Sequence, residues 1–404
     1  MHMGQTDSKL FLRKIIFSLI LVPNLLWGRE CSTLNYVTAK NSPFQKIPVY
    51  SQGYSGLCYA FAASQLLDYH YIKNGAPSVQ THPIWLGINY AATLNKSELG
   101  SGSIFLLLNQ SHELKNCSPE TIQKALTQYA KAAKLKDTED LVGFLDDYFK
   151  NYSQLDSGME KSMRVFEGLR KTATETKKEF FTAECLQSGG FASLAPFLEM
   201  ANELSSTSFL KALLFGRCEK ENKKLTVPEL NHLQANTDEE AQDHLDRNLK
   251  NGPVGLGYCS AIHENPNLRY LKRNSNPSYN PSTCKPHAVV VTGRKVIDGQ
   301  CHYLIRNSWG DIYREGDQKF TFLCKDRSSG EYFENCTIKT HPNSKYSVEG
   351  IWMKADSVVQ NTITTTAITN QPRPQTGISI ESRSLTQPET ITKPVSSGIV
   401  IESR

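Results

Sequence analysis

The chain changes character near residue 252, and this change limits the folds it can adopt. From about 100 to 180 it is rich in Lys, Glu, Gln and Ala with interspersed Leu and Phe, which is typical of helices. From 252 onward, short β-rich runs alternate with Gly, Asn, Asp and Pro. The clearest runs are 254–258, 288–292, 302–306 and 319–323. The sequence therefore predicts a mostly helical segment over about 100–180 and an antiparallel sheet in the half of the chain from 252 onward.

Composition excludes several classes of protein. The 404 residues are 39% hydrophobic and 21% charged, which is ordinary globular usage with enough apolar material for a sizeable core. A disordered, collagenous or multi-span membrane protein does not fit these values. Lys and Arg total 45 against 40 Asp and Glu, and the net charge of +5 is spread along the chain without a dense basic block. We therefore expect no nucleic-acid partner.

The N-terminus has the pattern of a secretory signal peptide. Basic residues precede the apolar run Ile15–Trp27, and Gly28 follows it. The run is shorter than the ~20 residues that a membrane-spanning helix needs. A signal anchor or a buried first helix is the alternative. We predict a signal peptide over 1–28, a short N-terminal segment over 29–41, and a secreted or periplasmic protein with no stable membrane span after signal removal.

Ten cysteines occur, and no two are separated by only two residues. Zinc-ribbon and thioredoxin-type pairs are therefore absent, and no metal site is predicted. In an exported protein this spacing suggests a few disulfides, and Cys324 with Cys336 could close a hairpin. If Cys58 is free, nine cysteines remain, so at least one more thiol is left unpaired.

The C-terminal region 357–404 has no aromatic residue, and 16 of its 48 residues are Ser or Thr. Such a segment predicts a disordered tail. It contains a near-repeat, because GISIESR at 377–383 recurs 21 residues later as GIVIESR at 398–404. The repeat is interpreted as a spacer with a duplicated unit or as a sorting or docking tag.

A candidate nucleophile lies at the start of a predicted helix. The segment CYAFAASQLLDYHYI, from Cys58 to Ile72, has apolar residues at helical spacing, and Asn74-Gly75 supplies a stop signal. A helix N-terminus and a nearby imidazolium can both stabilise a thiolate. Gln52, six residues earlier, could hydrogen-bond a developing oxyanion together with the Cys58 backbone N–H.

The stretch from Gln52 to Ala62 resembles the active-site helix of the papain-like cysteine peptidases. It departs from the family signature at two positions. Ser55 stands where the first cysteine of the signature would be, which removes a disulfide partner of the family, and Leu57 stands where Ser or Ala is usual. A buried structural cysteine on an Ala-rich helix is the alternative interpretation of this motif alone.

Two further motifs support the resemblance. Pro286-His287-Ala-Val-Val-Val resembles the histidine strand of the family, although a lone histidine before a strand is more often structural. Asn307-Ser-Trp-Gly matches the asparagine motif of the family. The resemblance implies that His287 is general base and then general acid, that Asn307 orients its imidazole, and that Trp309 shields their hydrogen bond from water.

The resemblance covers about residues 42–356 and implies an α+β, papain-like two-subdomain fold, with the cleft between a helical half and an antiparallel, barrel-like sheet half. Gly189 and Gly190 resemble the segment that binds substrate backbone. His287 lies 229 residues after Cys58, whereas about 130 to 150 is usual. We assign the excess to a helical insertion at 100–180, interpreted as a structural elaboration, an exosite, a lid or a built-in inhibitor.

The function that the resemblance implies is hydrolysis of peptide bonds through a Cys58 thioester. A catalytically silent peptidase-like binding protein is one alternative, and a cysteine acyltransferase or transpeptidase is the other. No metal or organic cofactor is implied. The expected partner is a polypeptide substrate, and the expected state is a monomer.

Overall fold

A computed structural model of the chain describes residues 31–52, 56–77, 80–94, 96, 99–100, 102–110, 115–151, 159–175, 209–211, 213–214, 218, 223–271, 284–309, 320–334, 336 and 345–369. The chain divides into two units, 1–372 and 373–404. The second unit, the predicted signal peptide and the near-repeat all lie outside the described residues. Among the described residues, no helix is long and apolar enough to span a bilayer.

Among the described residues, the helices with defined bounds lie mostly in the first half of the chain. They are α1 Cys58–Lys73, α2 Pro83–Thr93, α3 Ile104–Gln110, α4 Pro119–Ala132, α5 Thr138–Asn151, α6 Met159–Glu175, α7 Asp238–Leu249 and α8 Ala355–Gln360. Two short 3-10 helices, Pro43–Gln45 and Ser260–His263, are also present. The range 100–180 is mostly helical where it is described, because α3 to α6 all lie in it.

The strands in the described part of the chain are β1 Leu34–Asn35, β2 Lys115–Asn116, β3 Lys223–Lys224, β4 Leu230–Gln234, β5 Val254–Cys259, β6 Pro286–Ile297, β7 Gln300–Arg306, β8 Thr321–Asp326, β9 Tyr332–Glu334, β10 Tyr346–Lys354 and β11 Thr362–Ile368. Strands β2 and β3 pair with each other. The others form one antiparallel sheet in the order β4-β11-β5-β6-β7-β10-β8-β9, with β1 added to β6. The α+β class predicted from the sequence is confirmed.

Helix α1 is the central helix of the helical half. Its residues are buried on nearly every side, as expected for a helix that is apolar all round. It ends at Lys73 with Asn74 as the capping residue, and Gly75 takes a positive φ of 77°, a left-handed conformation that glycine adopts without strain. The predicted helix and its stop signal agree with this placement.

Strand β6 separates two hydrophobic cores. Ala288 and Val290 pack with α1 in one core, whereas Val289 and Val291 face the other core, next to α7 and α8. Alternate residues of a strand point to opposite faces, so a strand buried on both faces is an unbroken apolar run. The run Ala288–Val291 has this character, and it holds His287 at its beginning.

Four disulfides are present in the described part of the chain: Cys31–Cys301, Cys117–Cys218, Cys259–Cys284 and Cys324–Cys336. The pairing of Cys324 with Cys336, which the sequence offered as one possibility, is present. Cys58 is free. Cys185 lies outside the described residues, so the second unpaired thiol stays a prediction.

The predicted tail begins too early. Residues 357–369 belong to α8 and β11, and β11 lies between β4 and β5 with Thr365 and Thr366 buried. Threonine and isoleucine are β-branched and favour strands, which a count of Ser and Thr does not detect. The start of the tail at 357 is therefore wrong, and the part from 370 lies outside the described residues.

The segment before α1 is fixed to the sheet. Cys31 is bonded to Cys301 of β7, and Arg294 of β6 donates to the Ser32 carbonyl oxygen at 3.1 Å. The buried guanidinium of Arg306 donates to the Ile47 carbonyl oxygen at 2.6 Å. Residues 31–52 are thus held at several points before the chain enters the site.

Candidate active site

Cys58 occupies the first position of α1 and carries a free, half-buried thiol. Burial raises the pKa of this thiol. Backbone N–H groups act in the opposite direction, because the amides of Ala288, Tyr59 and Cys58 itself hydrogen-bond the sulfur and favour the thiolate. The positive end of the α1 helix dipole also favours the thiolate. Negative charge on this sulfur is therefore stabilised by the surrounding backbone.

The Ala288 amide, which hydrogen-bonds the Cys58 sulfur, directly follows His287 in β6. The His287 imidazole is buried, and its Nε2 lies 2.8 Å from Oδ1 of Asn307. Burial lowers the pKa of His287 to about 4, while the hydrogen bond to Asn307 acts to raise it. With Nε2 engaged by Asn307, Nδ1 is the nitrogen left for proton exchange with the thiol.

Asn307 directly follows β7 and is almost completely buried. Its Oδ1 also accepts from the Ser308 backbone N–H at 2.8 Å, which fixes the orientation of the amide. The Trp309 ring stacks on the imidazole of His287 with centroids 5.0 Å apart and an interplanar angle of 26°. The ring therefore covers one side of the His287 imidazole.

Gln52 reaches the site through Ser308. The Gln52 backbone N–H donates to the Ser308 carbonyl oxygen at 2.7 Å, and the Ser308 hydroxyl donates to Oε1 of Gln52. Ser51 and Trp309 form an isolated bridge beside this contact. Because Oε1 accepts from Ser308, Nε2 of Gln52 is oriented as the donor of the side chain. One short stretch, 307–309, thus positions both the imidazole and the glutamine amide.

The Cys58 thiol and the His287 imidazole can become charged together, as a thiolate and an imidazolium. Burial of Cys58 and of His287 favours the neutral form of each. A proton that moves from the thiol to the imidazole leaves the net charge of the pair unchanged. The resulting thiolate is stabilised by three backbone amides, and the imidazolium by Asn307 and the Trp309 face. The arrangement is chemically suited to nucleophilic attack by sulfur followed by proton transfer.

A segment that sequence reasoning did not single out lies beside the start of α1. The Tyr59 hydroxyl donates to the Leu99 carbonyl oxygen at 2.9 Å. A Cβ added to Gly102 would meet the Tyr59 ring at 2.3 Å, and one added to Gly56 would lie 2.9 Å from Cα of Gly100. The closely spaced glycines at 100 and 102 could have indicated this segment in the sequence, because glycine permits such close approach. The predicted Gly189 and Gly190 lie outside the described residues.

Tyr258 and His263 are two further residues near the site that the motifs did not indicate. Tyr258 of β5 is the cross-strand partner of His287, and His263 ends the 3-10 helix that follows β5. Neither belongs to a recognisable sequence pattern. Only the pairing of β5 with β6 brings them to the imidazole.

Comparisons with known proteins place low-identity cysteine proteases among the similar structures. Xylellain, a cysteine protease from Xylella fastidiosa, is 16% identical, with a TM-score of 0.38 over 83% of this chain and 85% of that one. Digestive procathepsin L 3 of Tenebrio molitor is 11% identical, with a TM-score of 0.36 over 85% and 71%. A cysteine protease of Carica candamarcensis is 12% identical, with a TM-score of 0.35 over 84% and 98%.

No family model matches the chain. No curated protein sequence matches it either. In structure, the chain is similar to papain-like cysteine proteases at low identity.

Proposed function

We propose that this protein is a cysteine peptidase that hydrolyses peptide bonds through an acyl-enzyme on Cys58. The observation that carries the proposal is the series of contacts from the Cys58 sulfur to the Ala288 amide, and from the adjacent His287 imidazole to Asn307 at 2.8 Å. A nucleophile, a base and an orienting group in series are the elements that thiol-based acyl transfer requires. A structural cysteine needs none of them.

In the acylation step, the Cys58 thiolate attacks the carbonyl carbon of a peptide bond. The carbonyl oxygen takes up the negative charge and accepts hydrogen bonds from Nε2 of Gln52 and the Cys58 backbone N–H. The C–N bond then breaks, and the His287 imidazolium gives its proton to the leaving amine. Sulfur and acyl carbon are left joined as a thioester, and His287 is left neutral.

In the deacylation step, neutral His287 takes a proton from water, and the hydroxide oxygen adds to the thioester carbon. The C–S bond breaks, the carboxylic acid product leaves, and the thiolate–imidazolium pair is restored. Asn307 keeps the imidazole in one orientation through both steps, because its Oδ1 is fixed by the Ser308 amide. The step consumes only water and needs no cofactor.

The substrate is a polypeptide that lies across the start of α1. Leu99 and Gly100 border this position through the Tyr59–Leu99 hydrogen bond and the approach of Gly100 to Gly56. We propose that these two residues line the cleft. The predicted contribution of Gly189 and Gly190 to backbone binding remains a second proposal.

The four disulfides are typical of a protein that folds in an oxidising compartment. Together with the basic and apolar N-terminal pattern, they support export through a signal peptide to a secreted or periplasmic location. Cys58 must stay reduced there, since oxidation of the thiolate would end turnover.

The test combines active-site labelling with peptide hydrolysis. The purified protein is treated with an epoxide that traps thiolates, the modified residue is located by peptide mass mapping, and cleavage of fluorogenic peptides is measured. We expect stoichiometric labelling at Cys58, and loss of both labelling and hydrolysis in Cys58→Ala. Cys185→Ala is the matched control and should retain both.

Hydrolysis by a folded Cys58→Ala variant would refute the proposal. Labelling without hydrolysis, with acyl transfer to an added amine instead, would identify a transferase. A protein with neither labelling nor hydrolysis would be a catalytically silent relative.

A further inference from the structure

Four aromatic rings form a closed cycle that includes the imidazole of His287. The centroid distances are 5.0 Å from His287 to Trp309, 4.9 Å from Trp309 to His263, 5.9 Å from His263 to Tyr258 and 6.0 Å from Tyr258 to His287. Each of these distances is within the range of favourable ring contacts. The orientation of the catalytic imidazole is therefore coupled to a second, buried histidine.

This second histidine is hydrogen-bonded within the cycle. Tyr258 and His263 are both buried, and the Tyr258 hydroxyl lies 2.5 Å from Nε2 of His263. A buried hydroxyl and a buried ring nitrogen satisfy each other at this distance, which fixes both rings. His263 contacts Trp309, and Tyr258 contacts His287, so the bonded pair touches both halves of the catalytic stack.

The turn that carries His263 is fastened to the strand that carries His287. The Cys259–Cys284 disulfide joins the end of β5 to the residues before β6. The backbone N–H and hydroxyl of Ser260 both donate to the Lys285 carbonyl oxygen at 2.9 Å. Lys285 in turn pairs with Glu264 at 2.8 Å, on the exposed side of the turn. A disulfide, two hydrogen bonds and an ion pair thus join the turn that carries His263 to the residues that lead into the strand of His287.

We propose that His263, held by Tyr258, is a positioning residue that fixes the Trp309 and His287 rings in the orientation needed for proton transfer. Trp309 can cover the His287–Asn307 hydrogen bond only while its ring stays stacked on the imidazole. Loss of the Tyr258–His263 bond would free the Trp309 ring to tilt and would let water compete for Nε2 of His287. The inference rests on the proposed function, because it assigns a role within the same site.

The test compares Tyr258→Phe, His263→Phe and the double variant with the unmodified protein. Tyr258→Phe removes one oxygen and keeps the packing, so it tests the hydrogen bond even if His263→Phe folds poorly. We expect each single variant to lose about tenfold in kcat/KM, or about 1.4 kcal/mol of transition-state stabilisation. The double variant should be no worse than the worse single variant, because the two residues act as a unit.

A second measurement does not require turnover. The rate of Cys58 alkylation by iodoacetamide, followed from pH 4 to 9, reports formation of the thiolate with its imidazolium partner. We expect Tyr258→Phe and His263→Phe to displace this profile, and His263→Gln, which keeps a hydrogen-bonding group, to restore it in part. A purely structural role would lower the melting temperature and leave the profile in place.

His232→Phe is the matched control. His232 is half-buried, stacks on Phe105 with centroids 4.1 Å apart and hydrogen-bonds Thr366 at 3.0 Å, in strand β4 of the same sheet. His232→Phe should leave kcat/KM and the alkylation profile unchanged.

Unchanged kcat/KM and alkylation profiles in the Tyr258 and His263 variants, or losses that multiply in the double variant, would overturn the inference. If Cys58 of the unmodified protein is alkylated but no peptide is cleaved, the proposed function is contradicted. The comparison of alkylation profiles between the unmodified protein and the variants would still test the role of His263.

Discussion

Removal of the Asn307 side chain tests whether the hydrogen bond to His287 contributes to chemistry. In the thiolate–imidazolium state, Nε2–H of His287 donates to Oδ1 of Asn307, and the donor carries a charge. A hydrogen bond to a charged group contributes about 1.5–3 kcal/mol. At about 1.4 kcal/mol per factor of ten, Asn307→Ala should therefore lower kcat/KM roughly 10- to 150-fold.

The direction of the pKa change gives a second readout. Burial already lowers the pKa of His287 to about 4, and Asn307 acts against this shift. Without the amide, the pKa of His287 falls further, so proton transfer from Cys58 becomes less favourable. The rate of Cys58 alkylation at pH 7 should then fall by a factor similar to that of kcat/KM.

Loss of a buried amide also destabilises the fold, so the assay needs a control for stability. Asn361 is fully buried, accepts from the Tyr270 backbone N–H at 2.8 Å and lies at the end of α8. Asn361→Ala should lower the melting temperature without lowering the alkylation rate of the folded protein. An Asn307→Ala variant with normal hydrolysis and normal alkylation would refute the assigned role of this hydrogen bond.

Three further outcomes are expected. Gln52→Ala removes a hydrogen-bond donor to the oxyanion, so kcat should fall about 10²- to 10³-fold with little change in KM in steady-state hydrolysis. A rise in KM with kcat unchanged would contradict this. Burial raises the pKa of Asp68 to about 7, so the folded state binds the proton of this carboxyl group more tightly than the unfolded state does. The free energy of unfolding should therefore fall by up to about 4 kcal/mol as the pH rises from 4 to 7. Urea unfolding should show that Asp68→Asn removes this dependence, and an unchanged pH profile would count against it. Truncation after residue 356 should abolish soluble folded protein, since it deletes β11 from between β4 and β5, whereas truncation after 372 should keep the melting temperature; equal stability of the two truncated chains would show that β11 is dispensable.

Local signals predicted the parts of the fold that depend on nearby residues. The helix from Cys58 and its stop at Asn74 follow from spacing within one segment, and the buried run after Pro286 predicts a strand for the same reason. The assigned roles of Cys58, His287 and Asn307 remain predictions that the variants above test.

Features that depend on distant pairing could not be predicted. Strand β11 is stabilised by β4 and β5, which lie more than a hundred residues earlier, and its own composition resembles a linker. Three of the four disulfides join cysteines whose proximity only the folded sheet and helices create. Tyr258 and His263 meet His287 through the register of β5 against β6, which no single segment encodes.

The Cys31–Cys301 disulfide has a consequence for processing of the N-terminal segment. The bond joins residue 31 to the strand that leads into Asn307. A protease that cuts between residues 31 and 52 would therefore not shorten the protein. It would produce two chains of the expected combined mass, which would migrate together on a non-reducing gel and separate only after reduction. Maturation within this segment would be invisible to any measurement of intact mass that does not resolve the 18 Da of added water.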